Sequence, residues 1–285
     1  MNPALRRLGI GLGMLLGLAV VVAIVLFLAG SSKVNRTYEI ETATLNIVTD
    51  SASLAHGAHL VQINGCTDCH TANFGGQVFA DEPPFRVVAS NLTRGAGGVG
   101  GQYTAELFDR AIRHGVGADG KSLLVMPSKG FHNMSDDDVA DIISYLLQLP
   151  PVDHELPATL VRPLGRLLAT FALDPTYEVS PEPARVDGPS VQSAEWGAYF
   201  ASGICAYCHG EDLRGAQPPN PSSPPAPDLA SVGKWTPEQF IRTMRTGVTP
   251  GNRELNPEFM PWTVMAHATD DELLAIHAYL TTLAD

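Results

Sequence analysis

All four cysteines of this 285-residue chain fall in two copies of one pentapeptide, Cys66-Thr67-Asp68-Cys69-His70 and Cys205-Ala206-Tyr207-Cys208-His209. Two thiols one helical turn apart can each close a thioether on a haem vinyl group. The histidine that follows is then held under the iron as an axial nitrogen. The spacing therefore predicts two covalently bound haem c groups. Cys66, Cys69, Cys205 and Cys208 would be the attachment points, and His70 and His209 the iron ligands. Other uses of four cysteines fit less well. A thioredoxin-like motif needs βαβ surroundings, which the pattern lacks. A zinc site does not require His directly after each second Cys. Two disulfides remain the alternative outside the cytoplasm.

A haem that only carries electrons has its sixth position filled, and a soft thioether both holds iron and raises its potential. Met126 and Met260 are each followed by Pro, and each lies 19 residues before a tyrosine, Tyr145 or Tyr279. Met134 and Met265 lie in the same stretches without that register. Met244 falls inside a predicted helix, and His132 is the remaining rival.

The elements around these residues repeat too. His56-Gly57-Ala58-His59 leads to the first motif and Trp196-Gly197-Ala198-Tyr199 to the second. Residues 106–116 align without gaps to 238–248. Each copy ends in an expected helix, from Ser135 to Leu147 and from Thr269 to Leu283. Thr269-Asp270-Asp271-Glu272 and Thr236-Pro237-Glu238-Gln239 have capping-box form, and the acids after Ser135 suit a helix N-terminus. Val139, Ile142, Ile143 and Leu146 recur at helical spacing, as do Leu273, Ile276 and Leu280. No convincing alternating strand pattern stands out in either copy.

On these motifs the chain resembles the cytochrome c family, as two tandem domains covering residues 51–152 and 188–285. The resemblance implies an all-α fold in which the first and last helices of each domain cross closely. Gly57 with Tyr145, and Gly197 with Tyr279, match the glycine and aromatic at that crossing. It also assigns Met126 to the first haem and Met260 to the second, because the family's distal ligand lies in the loop before the last helix.

Leu8 to Ala29 runs for 22 residues without a charge, after Arg6 and Arg7. As a helix it would span about 33 Å, enough for the hydrocarbon core of a bilayer. The reading places residues 1–7 in the cytoplasm, a single-pass anchor at 8–29, a linker at 30–50, and both domains on the extracytoplasmic, periplasmic side. A cleaved signal peptide, with its shorter apolar region, is the alternative. Residues 153–187 form a second, proline-bearing linker. Within it the apolar stretch from Leu160 to Leu173 is read as a short helix packed on a domain rather than a membrane-surface contact.

The net charge of −12 argues against nucleic acid as a partner and favours redox proteins with basic docking patches. The resemblance implies an electron carrier rather than an enzyme, passing single electrons between respiratory-chain partners. The string from Asn91-Leu92-Thr93 through Met126-Pro127 is similar to cytochrome subunits of bacterial alcohol and aldehyde dehydrogenases, which makes a dehydrogenase complex the alternative setting. A dihaem peroxidase also carries two such cysteine motifs, but it needs one open iron, and equivalent Met-Pro loops in both copies weigh against it.

Overall fold

Helix boundaries follow the capping residues closely in the computed structural model, which describes residues 2–182, 187–189, 193–220 and 222–284. Part of the second linker and one residue of the 217–227 loop lie outside that set. The first copy contains α2 (Ser51–Ile63), α3 (Cys66–His70), α4 (Ala105–His114), α5 (Ser128–Phe131) and α6 (Asp136–Leu147). The second contains α8 (Ala194–Phe200), α9 (Ala206–His209), α10 (Pro237–Thr246), α11 (Trp262–Met265) and α12 (Asp270–Thr282). Asp50, Thr104, Ser135, Thr236 and Thr269 each cap a helix through the side chain, and both expected capping boxes form, at Thr236–Gln239 and Thr269–Glu272.

The first and last helices of each copy cross at glycine. A Cβ on Gly57 would lie 2.0 Å from the carbonyl oxygen of Asp141, and one on Gly197 would lie 2.0 Å from that of Ala275. No side chain larger than hydrogen fits either crossing. Tyr145 sits beside the first crossing, edge-on to Phe74 with ring centroids 5.9 Å apart.

The N-terminal helix α1 (Pro3–Val34) is longer than the apolar run and exposed along nearly its whole length, with only Gly30 buried. It is long and apolar enough to cross a membrane. The segment after it is more than a tether. Thr37 bridges Lys121, and the Ala43 amide donates to the buried carboxylate of Asp109.

Strands do occur in this mostly helical chain. β1 (Gln77–Glu82) and β2 (Phe85–Ala89) form an antiparallel hairpin, and β3 (Leu160–Val161) pairs with β2. A register shift between Val78 and Ala80, with neighbouring residues exposed in pairs, breaks the period-two pattern that sequence reading relies on. β3 leads into α7 (Pro163–Leu168), which packs against the C-terminal end of α1. The 160–173 stretch thus contains a short strand and a short helix held against neighbouring elements, and the second linker carries regular structure.

Candidate haem sites

Each motif forms a short helix, and the chain leaving it follows the same path in both copies. The amide of Gly76 donates to the His70 carbonyl at 3.0 Å, and that of Gly215 to the His209 carbonyl at 2.8 Å. Phe74 and Leu213 occupy the same next position, each at positive φ (56° and 58°) and each about fully buried. Leu92 then donates to the Phe74 carbonyl and Leu229 to that of Leu213.

This path carries a backbone carbonyl to each histidine. Nδ1–H of His70 donates to the Ser90 carbonyl and Nδ1–H of His209 to the Pro227 carbonyl, both at 2.8 Å. A carbonyl only accepts, so the proton sits on Nδ1 and Nε2 keeps its lone pair for a metal. Burial lowers the pKa of both rings, against the opposing effect of the carbonyl bond, and keeps them neutral.

The distal loops match as well. Pro127 has φ −77° and ψ 56°, and Pro261 has φ −75° and ψ 62°. The amides of Ser128 and Trp262 close onto the carbonyls of Met126 and Met260, both at 2.7 Å. These are inverse γ-turns centred on proline, which fixes φ near the value the turn needs. The two methionines therefore leave the backbone in the same local geometry.

In the first copy an apolar cleft has Cys66, His70 and Met126 in its walls, together with Met134, Leu92 and Ile142. In the second, Met260 is half-buried against the core. Met244 and Met265 are core residues, 7% and 8% exposed. His132 is absorbed elsewhere, its Nδ1 on the Arg113 carbonyl and its ring against His114.

All four cysteines are free. Burial pushes the Cys66 and Cys205 thiols up to about 12, so they stay protonated at neutral pH. Among the described residues no three His, Cys, Asp or Glu side chains converge as a metal cluster. Cys66 stands in the wall of the apolar cleft, where its thiol could add across a haem vinyl group.

Sequence reading missed the groups that set the histidines: the Ser90 and Pro227 carbonyls, and Asn91 and Asp228 beside them. Asn91 Oδ1 accepts from the Thr93 amide at 3.0 Å, and Asp228 Oδ1 from the Ala230 amide at 2.8 Å. The paired strings Asn91-Leu92 and Asp228-Leu229 were the available signal.

Two helical domains in tandem, each with a Cys-x-x-Cys-His helix and a methionine loop, define a c-type haem-binding protein. The cytochrome c family model matches residues 54–150 and 195–284, and the chain belongs to that family. It is 26% identical to the fructose dehydrogenase cytochrome subunit of Gluconobacter japonicus, covering 72% of this chain and 47% of that protein. It is 25% identical to the cytochrome c subunit of a quinone alcohol dehydrogenase from Gluconacetobacter polyoxogenes, over 82% of this chain and 56% of the relative. A nicotinate dehydrogenase subunit of Pseudomonas putida is 28% identical over 69% of the chain, which spans only 18% of that relative. The chain thus spans about half, or less, of these curated relatives.

Proposed function

We propose that this is a membrane-anchored dihaem electron carrier, with one His/Met-ligated haem c in each copy. The observation that carries the reading is the recurrence, in both copies, of a motif histidine with Nδ1 on a carbonyl and a methionine on a proline-centred turn. Cys66 and Cys69 with His70 and Met126 would hold the first haem; Cys205 and Cys208 with His209 and Met260 would hold the second. A haem c bound there supplies one-electron chemistry at its iron. The chain fixes each imidazole as a neutral donor through Nε2 and walls the first site with apolar side chains. The thioethers favour the reduced state over what a second imidazole would give.

The relatives named as dehydrogenase cytochrome subunits support a dehydrogenase as the electron donor, so the chain would work as the carrier subunit of such a complex rather than as its catalytic part. α1 would anchor it as a single pass, with Arg6 and Arg7 on the cytoplasmic side and both copies on the periplasmic side. An acidic surface suits a partner with a basic docking patch.

The test is intact-protein mass and redox titration of Met126→Ala and Met260→Ala. Each variant should keep two covalent haems while the midpoint potential of one haem falls and that of the other stays. An unchanged potential in either variant would refute that ligand. A mass showing one haem would refute the dihaem reading.

A further inference from the structure

α7 presents its large apolar residues outward and its small ones inward, the reverse of an ordinary surface helix. Gly165 and Ala169 are buried: a Cβ on Gly165 would meet the Pro84 carbonyl oxygen at 2.1 Å, and Ala169 lies against Gly30 of α1. Past Leu168 the helical path continues for a turn, since the amides of Ala169 and Ala172 donate to the carbonyls of Gly165 and Leu168, both at 2.9 Å. Leu164 and Phe171 therefore lie two turns apart on one face. They are 45% and 67% exposed, and the half-buried Leu167 and Leu168 flank them.

The height of this face along α1 is fixed by contact. A Cβ on Gly30 would fall 1.7 Å from the Arg166 carbonyl oxygen, so α7 crosses α1 where its uncharged run ends at Ala29. Lys33 and Arg36 follow on α1 and just beyond it, and Arg162 and Arg166 bracket the start of α7. Four cations thus gather at one level in a chain of net charge −12. Arg162 is itself paired with Asp81, and Lys33 has the Asp174 carboxylate near it, which leaves Arg36 and Arg166 as the collar. Leu28, 61% exposed, carries the apolar surface of α1 up to this level.

We propose that residues 160–172 form a foot that lies in the headgroup layer of the bilayer entered by α1. Leu164 and Phe171 would dip toward the acyl chains, and the basic collar would meet anionic headgroups. This inference rests on reading α1 as a membrane anchor. Its consequence is orientation: β3 joins α7 to the β1–β2 hairpin, so the foot would hold the first copy at a set tilt above the membrane rather than letting it swing on a tether.

The experiment uses the full chain in nanodiscs of phosphatidylcholine and phosphatidylglycerol, with photoreactive p-benzoylphenylalanine replacing Phe171. Leu274, an apolar residue of α12 that is 40% exposed, is replaced in the same way as a control. On illumination, position 171 should give several-fold more phospholipid adduct than position 274. Alkaline carbonate extraction of native membranes tests the anchor separately. Release of the protein overturns the anchor and the foot together. Retention with equal or no lipid adduct at 171, or with an adduct to protein instead, overturns the foot alone.

Discussion

The carbonyl oxygens of Ser90 and Pro227 decide which nitrogen of each motif histidine keeps its lone pair, and the residues after them hold those carbonyls in place. Asn91 does more of this than its counterpart. It is 1% exposed, its Oδ1 accepts from both the amide and the hydroxyl of Thr93, and its Nδ2 donates to the Val152 carbonyl at 2.7 Å. Asp228 closes the same turn from an exposed position. Replacing Asn91 by Ala leaves buried partners unmatched and should cost about 1–3 kcal/mol, while Asp228→Ala should cost roughly 1 kcal/mol or less. Denaturant unfolding of the two variants checks the order; equal losses would mean that Asn91 does not carry the buried network described.

At the scale of elements, the glycine crossings set the spacing between the first and last helices of each copy. Gly57→Val would drive a side chain into the Asp141 carbonyl, and overpacking of this kind costs about 1–3 kcal/mol. Thermal unfolding followed by circular dichroism should show a lowered midpoint, and an unchanged one would mean the crossing relaxes freely. The helices themselves were legible from Thr236, Ser135 and Thr269, because a cap is a local bond between residues three apart. The cysteines, histidines and methionines of the candidate sites were legible for a similar reason, since their chemistry lies in side-chain type and short spacing. The hairpin and β3 were not. β3 is set by contact with residues 85–86, far away in sequence, and in the hairpin the shift near Val78 erases the alternation. The Ser90 and Pro227 carbonyls were hidden too, because a backbone oxygen has no residue type to announce it. α1 extends beyond the expected 8–29: Asn2 caps a start with Pro at the first helical position, and past Ala29 the helix continues to Val34 where Gly30 packs on α7.

The two copies meet through an interface that treats them alike, as a two-fold axis would. His59 and Tyr199 hold equivalent places before the two motifs, and each reaches the first turn of the other copy's last helix. His59 Nε2 donates to the Glu272 carboxylate at 2.8 Å, and the Tyr199 hydroxyl donates to Asp138 at 2.6 Å while accepting from the Ser135 amide. Val264 packs on Gly65 just as Ile204 packs against Gly130, so each distal-loop helix touches the chain leading into the other copy's motif. The His59–Glu272 half of this interface titrates near neutrality. The bond to Glu272 raises the His59 pKa above its ordinary 6.5, so that contribution is full below 6.5 and is lost as pH rises through the raised value. Burial opposes ionisation of Glu272, but the His59 bond and the Thr269 amide outweigh it and lower its pKa. Its contribution is therefore full above the ordinary 4.5 and is lost as pH falls through the lowered value. The contact is strongest between those two ordinary values, and moving from pH 5.5 to 8.5 should weaken it by about 1 kcal/mol. The Tyr199 hydroxyl keeps its proton across that range, because its pKa is raised, by burial first and by the Asp138 charge next, although His56 Nε2 also lies 3.9 Å from Asp138. Hydrogen exchange corrected for intrinsic rates should show α11 losing protection at the higher pH. In His59→Gln that pH difference should disappear. If the variant loses protection with pH as the natural protein does, another group governs the interface.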